Sequence, residues 1–528
     1  MSAGRDLLRS PLLNKGTAFS NEERTTLGLH GLLPPAVETL DAQLARAHAM
    51  YGTLTTAIER HRFLRALQDR QEVLFCALVA EHVEEMLPIV YTPTVGEAVR
   101  HYSALYEQPR GLSFSTETIA RANEIVANHP LDDARLLVAT DSSAILGIGD
   151  QGYGGIAIAI GKLALYAVGG LSPHHTVAVG LDVGTDRDDL LADPRYLGAR
   201  HRRLRGASYQ AFIDAFVGAV RSRWPRAIIQ WEDLSKDTAF DVLERHRSQC
   251  PSFNDDVQGT GAVALAGLLN ASRLRGDRLR DQRVVVHGAG AGGIGVASAI
   301  LRGMVREGLS TDEARERIFV TDSKGLLTAD REMESYKRPF ARPAGSARPE
   351  TLTDAVRCAR ATTLIGLSGQ PRTFDESVVT AMLEWTPRPI VFPLSNPNAS
   401  CEADPADVLA WTGGRALVAT GSPFGPTIGQ GNNAFVFPGL GLGAVIAEAR
   451  EITDGMVLDA AYALARFTEE GWPDRVYPPI AALRESSLCV ASSVVARAIE
   501  DGVARIDPRS RGDIDALVRR SFWHARYA

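Results

Sequence analysis

The sequence predicts an α/β protein: a helical N-terminal domain followed by parallel-sheet α/β domains, including a Rossmann-type dinucleotide-binding domain. Three observations lead to this fold class. Apolar residues recur at helical spacing through the first hundred residues, and short β-rich runs then alternate with longer helical segments. One β-rich run also leads directly into a Gly-x-Gly-x-x-Gly turn. The chain has 528 residues, more than one hydrophobic core usually serves, so we expect several domains.

The first hundred residues are predicted to be mostly helical. Between Glu38 and Glu85 few strong helix breakers occur, and the apolar residues follow a helical period. They include Ile58, Phe63, Leu64, Leu67, Leu74, Phe75, Leu78 and Val79.

Eight later runs have the length and residue types of buried strands. Most are followed at once by polar or Gly-rich residues, and in open α/β sheets ligands bind beyond the carboxyl ends of the strands. The loops after these runs therefore define one candidate crevice. The predicted strands are Leu136 to Thr140, Thr176 to Val183, Ala227 to Trp231, Arg283 to His287, Arg317 to Thr321, Thr363 to Leu367, Ile390 to Leu394 and Ala416 to Thr420.

These segments suggest a division into four parts. We predict a mainly helical domain over residues 1–105, and a central α/β domain with the catalytic residues over 106–255 and 438–505. We further predict a Rossmann-like NAD(P)-binding domain over 256–437 and a C-terminal tail over 506–528.

The bulk composition argues against several functional classes. The formal net charge of −6 is unlike that of a nucleic-acid binder, which usually carries a concentrated basic face. Five separated cysteines without a Cys-x-x-Cys pair indicate neither a disulfide framework nor a zinc site, which fits a reducing cytoplasm. The apolar stretch from Gly152 to Leu171 contains Lys162 near its middle, so we interpret it as a buried helix rather than a membrane span.

The glycine-rich turn predicts a dinucleotide site. Gly288, Gly290 and Gly293 directly follow a strand and open a helix, where backbone N–H groups and the helix N-terminus can bind a pyrophosphate. Asp322 ends the next strand and can accept hydrogen bonds from a ribose. Its distance from Gly288 is longer than usual, which an extended helix over 293–314 would explain.

The sequence leaves the choice between NAD and NADP open. Asp322 would repel a 2′-phosphate, whereas Ser323, Lys324 and Lys337 could bind one.

Two acidic pairs suggest a cation site. Glu232-Asp233 and Asp255-Asp256 offer hard oxygen ligands that suit Mg²⁺ or Mn²⁺, although acidic pairs are also common on solvated loops.

Lys162 and Tyr91 are candidate proton-transfer groups. An apolar setting lowers the pKa of a lysine such as Lys162 and makes it a candidate base, unless the side chain extends to the surface. Tyr91 is either a proton donor or a packing residue before a proline turn.

A series of motifs resembles the malic enzyme family in family order. The resemblance begins near Leu12 and runs to Trp523, so it covers nearly the whole chain. The blocks are Tyr91-Thr-Pro-Thr-Val-Gly96, Ile145-Leu-Gly-Ile-Gly-Asp150, Gly161-Lys-Leu-Ala-Leu-Tyr166, Leu181-Asp-Val-Gly-Thr185, Phe253-Asn-Asp-Asp-Val-Gln-Gly-Thr260, Leu394-Ser-Asn-Pro397 and Gly429-Gln-Gly-Asn-Asn433.

The resemblance implies oxidative decarboxylation of L-malate to pyruvate with reduction of NAD or NADP, by a homodimer or homotetramer that requires a divalent metal. It implies that Lys162 takes the proton of the C2 hydroxyl, with Asp255 close to it, and that Tyr91 protonates the enolate. The implied metal ligands are Glu232, Asp233 and Asp256. The implied substrate-binding residues are Asn396, Asn432 and Asn433, and Asn396 also belongs to the cofactor site.

One departure from the family pattern bears on the substrate. Malic enzymes carry an arginine that binds a substrate carboxylate at the position of Ala144, and alanine cannot replace it. Arg110 and Arg135 are candidate substitutes. The departure leaves three alternatives: the malolactic reaction, which yields lactate and retains NAD; a related 2-hydroxy acid as substrate; or a non-catalytic nucleotide-binding protein.

Overall fold

The computed structural model describes residues 4–145, 147–425, 427–507 and 513–527. The chain divides into two compact units. The first comprises Met1–Ser142, Asp150–Ala227 and Arg519–Ala528, and the second comprises Ser143–Gly149 and Ile228–Val518. The four-part division expected from the sequence stays a prediction.

The first unit begins with a layer of helices. Side-chain caps start several of them: Thr56, for example, accepts from the backbone N–H of Glu59 while Glu59 accepts from the N–H of Thr56. The helices are α1 Asn21–Thr26, α2 Leu40–Gly52, α3 Ala57–Gln68, α4 Glu72–Glu81, α5 Val83–Val90, α6 Thr94–Arg100, α7 Tyr102–Leu105, α8 Ala122–Ala127, α9 Ile156–Val168, α10 Asp188–Ala192 and α11 Gly206–Arg223.

Parallel strands form the centre of the first unit. β1 Leu112–Ser115, β2 Leu136–Thr140 and β3 Thr176–Asp182 pair in the order β1, β3, β2. Every residue of β2 is buried, as a near-continuous apolar run predicts for a strand covered on both faces. Helix α9 packs against β2 and β3.

The second unit contains a larger set of alternating strands and helices. Its strands are β4 Ile228–Trp231, β5 Ser252–Asn254, β6 Val284–His287, β7 Ile318–Asp322, β8 Gly325–Leu326, β9 Thr363–Gly366, β10 Ile390–Pro393, β11 Leu417–Thr420 and β12 Gly429–Gln430. Its helices are α12 Ala239–His246, α13 Thr260–Arg275, α14 Ala291–Arg306, α15 Thr311–Glu316, α16 Leu352–Ala359, α17 Glu376–Met382, α18 Pro405–Trp411, α19 Phe437–Ile446, α20 Asp454–Gly471 and α21 Leu483–Glu500. The last helix of the chain is α22 Ile514–Ser521.

A Rossmann-type sheet organises the second unit. Its strand order is β12, β11, β10, β9, β6, β7, β8, and only the β7–β8 pair is antiparallel among the described pairings. Because β6 lies between β7 and β9, the chain reverses its direction of progress across the sheet beside β6. Open α/β sheets bind ligands at such a switch point, beyond the carboxyl ends of the strands.

Most of the predicted elements are confirmed. All eight predicted strands occur with bounds within one residue of those expected, and the first hundred residues are mainly helical. The sequence analysis missed β1, β5, β8 and β12. Strands β5, β8 and β12 have only two or three residues, too few to show a period. Strand β1, Leu-Ser-Phe-Ser, is as long as several predicted strands but lacks their continuous apolar run.

The single extended helix expected over 293–314 is wrong. Helix α14 ends at Arg306, and Gly308 has a φ of +102°, a conformation that stops a helix. Ser310 then caps α15 by accepting from the backbone N–H of Glu313. Two helices therefore span the distance between Gly288 and Asp322.

The apolar stretch beginning at Gly152 is a buried helix, as expected. Lys162 is only 1% exposed, so the alternative of a lysine that extends to the surface is wrong. None of the helices in the described part of the chain combines the length and apolar character that a membrane span requires.

Candidate functional site

Three carboxylates form a cluster in the second unit. Glu232 and Asp233 follow β4, whereas Asp256 follows β5. The two strands are parallel and aligned, with Trp231 opposite Asn254, so their carboxyl ends lie side by side. One ligand oxygen from each carboxylate lies within 4.8 Å of the others.

Hydrogen bonds hold the cluster in place. The backbone N–H of Asp233 donates to Oδ2 of Asp256 at 2.7 Å, and Nε2 of Gln230 donates to Oε2 of Glu232 at 2.8 Å. Asp233 adopts a φ of +53°, which non-glycine residues seldom do outside functional or turn positions.

The donor set fits a hard divalent cation. Glu232 and Asp233 are 1% and 3% exposed, and carboxylates buried this close together repel one another unless a cation balances their charge. Oxygen-only ligands suit Mg²⁺ or Mn²⁺ rather than zinc. The three side chains predicted as metal ligands are thus brought together.

Asp255 has a separate set of contacts beside the cluster. It begins a wide helical turn, Asp255–Gly259, of the π type that often occurs at functional sites. Asn433 Nδ2 donates to Asp255 Oδ2 at 2.9 Å and lies 3.0 Å from Oγ1 of Thr260. A Cβ at Gly259 would lie 2.0 Å from Oδ1 of Asp255, so only glycine allows this carboxylate to fold back over the turn.

Ala144 lies next to the carboxylate cluster. Its backbone N–H donates to the carbonyl oxygen of Asp233 at 3.0 Å. The two candidate substitute arginines belong to the first unit, and each is held in ion pairs: Arg110 by Asp69 and Glu72, and Arg135 by Asp133.

Lys162 and Tyr91 are neighbours in the first unit. The Lys162 ammonium lies 5.5 Å from the centroid of the Tyr91 ring, within the range of a cation–π contact. Tyr91 is the residue at which α5 ends, and α9 supplies Lys162. A Cβ at Gly161 would lie 2.8 Å from the carbonyl oxygen of Val90, so Gly161 permits the close approach of the two helices.

The glycine-rich turn has the geometry expected for a pyrophosphate site. Gly288 has a φ of +112°, and Gly290 caps the N-terminus of α14. A Cβ at Gly293 would lie 1.7 Å from the carbonyl oxygen of Gly288, so the turn requires glycine at 293. Around Gly290, by contrast, no atom of the described residues other than the adjoining ones lies within 4 Å of an added Cβ, which leaves space for a ligand.

Asp322 takes part in an ion-pair network that the sequence analysis did not anticipate. Its Oδ2 accepts from Nη2 of Arg331 at 2.5 Å and from Nζ of Lys337 at 3.4 Å. Partial burial would raise the pKa of Asp322, but the hydrogen bond and charge of Arg331, the Lys324 N–H and the charge of Lys337 together hold that pKa below its usual value. The carboxylate is therefore ionised and shared with two cations.

The other two predicted asparagines occupy different settings. Asn396 is half-buried after β10, and its Oδ1 accepts from the hydroxyl of Ser422. Asn432 is buried, and its Oδ1 accepts from the backbone N–H of Ala434 at 2.9 Å, so it caps a short helical turn.

Glu402 is a residue that the sequence analysis missed. It is fully buried, and its carboxylate accepts four hydrogen bonds, from the backbone N–H and hydroxyl of Ser368 and of Ser395. These serines begin the loops after β9 and β10. A Cβ at Gly288 would lie 2.7 Å from the Ser368 nitrogen, so the Glu402 network abuts the glycine-rich turn. Glu402 thus holds together the loops after β9 and β10. A single acidic residue in a loop gives no local sequence signal for such a positioning role.

Comparisons with known proteins cover most of the chain. A family model described as "Malic enzyme, N-terminal domain" matches residues 68–247, and one described as "Malic enzyme, NAD binding domain" matches residues 257–499. A protein of Sodalis glossinidius (strain morsitans) named "NAD-dependent malic enzyme" is 45% identical over 99% of this chain and 96% of its own length. A protein of the same name from Pseudomonas aeruginosa (strain UCBPP-PA14) is 43% identical with the same coverage.

Solved structures of similar proteins share the fold. The crystal structure of Entamoeba histolytica malic enzyme matches with a TM-score of 0.61 and 26% identity, covering 86% of this chain and 89% of that one. The malic enzyme from Pyrococcus horikoshii Ot3 matches with a TM-score of 0.58 and 26% identity, covering 83% and 89%.

The Glu402 network generates a first prediction. The Glu402→Gln variant should bind NAD⁺ about tenfold more weakly, because the amide replaces an acceptor with a donor at Ser368 or Ser395 and a hydrogen bond to a charged group contributes about 1.5–3 kcal/mol. Calorimetric titration of NAD⁺ measures the effect, and thermal unfolding checks that the variant is folded. Glu384→Gln, at an exposed site that pairs with Arg357, is the control. An unchanged NAD⁺ affinity in Glu402→Gln would contradict a role of Glu402 in positioning the loops beside the glycine-rich turn.

Proposed function

The chain belongs to the malic enzyme family, and on that premise we propose that it catalyses the oxidative decarboxylation of L-malate to pyruvate and carbon dioxide with reduction of NAD⁺. Relatives named NAD-dependent malic enzyme align with 99% of the chain. The observation that carries the proposal is the cluster of the buried Glu232 and Asp233 with the half-buried Asp256, an oxygen-only donor set of the kind that this decarboxylation requires. We further infer a homodimer or homotetramer in the cytoplasm, which the family resemblance and the cysteine content support.

The proton transfers fall to residues of the first unit. Lys162 takes the proton of the C2 hydroxyl as the hydride leaves C2 for the nicotinamide ring. After the C3–C4 bond breaks, Tyr91 donates a proton to C3 and pyruvate results. The support is the burial of both side chains and the 5.5 Å between the ammonium and the ring centroid, which makes the two proposed proton-transfer groups neighbours.

The carboxylates of the second unit are the proposed ligands of the divalent cation. A Mg²⁺ or Mn²⁺ ion bound by Glu232, Asp233 and Asp256 would polarise the C2 oxygen and balance the negative charge that develops on it. Asp255, oriented by Asn433, is the further catalytic carboxylate of the proposal. Asn396 and Asn433 are the proposed amide donors to the substrate, whereas Asn432 contributes by capping the turn that begins at Asn433.

NAD⁺ is the cofactor that the nucleotide loop favours. The pyrophosphate would bind at the turn formed by Gly288, Gly290 and Gly293. Asp322 would accept hydrogen bonds from the adenine-side ribose. A 2′-phosphate would meet the Asp322 carboxylate, while Lys337 is already engaged by Asp322 and Glu334.

Product identification tests the reaction. Purified protein with L-malate, Mn²⁺ and NAD⁺ should yield pyruvate and NADH in equal amounts, and Lys162→Ala should lower kcat by at least about a hundredfold, as loss of a general base does. NAD⁺ should still bind the variant with wild-type affinity. Lys15→Ala removes a half-buried lysine that pairs with Glu23 and serves as the control. A fully active Lys162→Ala would rule out the assigned base, and lactate without NADH would select the malolactic reaction instead.

Cofactor preference provides a separate prediction. Asp322→Ser should lower the KM for NADP⁺ by about tenfold and raise the KM for NAD⁺, because Arg331 and Lys337 become available to a 2′-phosphate. Initial rates with both nucleotides measure the change. Asp330→Ser is the matched control, since Asp330 lies in the same segment but pairs with Arg348. An unaltered preference in Asp322→Ser would exclude Asp322 from the ribose site.

Ala144 favours a second candidate function, turnover of a related 2-hydroxy acid. If L-malate is the substrate, Ala144→Arg should lower its KM by about tenfold, because a guanidinium can bind a carboxylate through two charge-assisted hydrogen bonds. Ala144→Gln, which adds bulk without charge, is the control. The second candidate would be selected if Ala144→Arg did not lower the KM for L-malate and the unaltered protein turned over another 2-hydroxy acid faster than malate.

A further inference from the structure

Two histidines and a glutamate form a second cluster of metal-ligating side chains, in the helical layer of the first unit. His48 lies near the end of α2. His82 joins α4 to α5, and Glu85 follows it by three residues in the first turn of α5. His48 lies more than thirty residues before His82 in the sequence, so tertiary packing brings it to the His82–Glu85 pair.

The cluster is compact. The imidazole rings of His48 and His82 stack with their centroids 3.8 Å apart and an angle of 9° between the ring planes. His48 Nε2 lies 3.1 Å from Oε2 of Glu85. One ligand atom from each of the three residues can be chosen so that all lie within 4.8 Å of one another.

The surroundings favour a cation. Glu81 Oε1 lies 3.7 Å from His82 Nε2, and Glu84 is an exposed neighbour in the sequence, so the segment from 81 to 85 carries three carboxylates. The side chains of His48 and Glu85 are 39% and 42% exposed, which leaves the cluster open to ions from solution. A divalent ion would join the two imidazole lone pairs and one carboxylate and reduce the local negative charge.

We propose that His48, His82 and Glu85 form a binding site for a borderline divalent cation, with Zn²⁺ as the best fit. Two imidazole nitrogens and one carboxylate oxygen are a common zinc ligand set, whereas Mg²⁺ prefers oxygen ligands. Tetrahedral ligands at about 2.0–2.1 Å from zinc are about 3.3 Å apart, so His48 Nε2 and Glu85 Oε2, at 3.1 Å, already have the spacing of two ligands. The half-exposed imidazole rings must turn out of their parallel stack for both lone pairs to meet the ion. Water completes the coordination.

The ion links α2 to the start of α5. Helix α5 has eight residues, which corresponds to about 12 Å, and Tyr91 follows its last residue, Val90. A zinc ion at this cluster therefore restrains the helix that precedes Tyr91 without contacting Tyr91 itself. Its effect is on the stability of the helical layer and on the opening of α5.

Metal titration of the full-length protein tests the proposal. Excess Mg²⁺ is kept present to occupy the carboxylate cluster. Co²⁺, a zinc substitute with a visible spectrum, should then bind at one equivalent and be displaced by Zn²⁺. Zn²⁺ should also slow hydrogen exchange of the α5 amides, because the link opposes local opening.

Two variants and one control complete the experiment. His82→Ala and His48→Gln should each weaken Zn²⁺ binding by at least about tenfold and remove the protection of α5. His30→Ala, which replaces an exposed histidine on another segment, should behave as the unaltered protein. The proposal would be overturned if the unaltered protein failed to bind Co²⁺ in excess Mg²⁺. It would also be overturned if His82→Ala bound Zn²⁺ as tightly as the unaltered protein.

Discussion

The need to provide partners for buried, ionised side chains is the main constraint on the arrangement of the candidate site. Burial of an ion costs several kcal/mol unless partners replace the lost hydration. The chain meets this requirement locally: Gln230 donates to Glu232, a backbone N–H donates to Asp256, and the Tyr91 ring lies beside Lys162. These partners also fix the direction of each functional group, so the same contacts that make burial tolerable prepare the groups for chemistry.

Parallel strand pairing determines which of these groups meet. Aligned strands end at one edge of a sheet, so residues distant in sequence become neighbours there. The pairing of β4 with β5 gathers the carboxylate cluster, and the pairing of β6, β9 and β10 gathers the nucleotide loops. Glu402 then ties two of those loops through a single buried carboxylate. The position of each loop in the structure thus depends on the order of the strands in the sheet as well as on the residues of the loop.

The chain contains two kinds of candidate cation site, and their chemistry separates them. Carboxylates alone, as at Asp233 and its neighbours, suit a hard ion such as Mg²⁺ or Mn²⁺. Imidazoles at an open surface, as at His48 and His82, suit zinc. The two sites therefore differ in the cation that each would favour.

Sequence alone determined the fold class, eight of the strands and the glycine-rich turn, because burial period and loop chemistry are local properties. It also supplied two acidic pairs, from which the family resemblance, not their spacing, selected Glu232, Asp233 and Asp256. Tertiary structure decided the rest. Strands β1 and β5 lack the continuous apolar run of the predicted strands, and Gly308 breaks a helix that apolar spacing would continue. The partners of Asp322 and Glu402 follow from loop geometry and sheet order, which no residue pattern within a single element records.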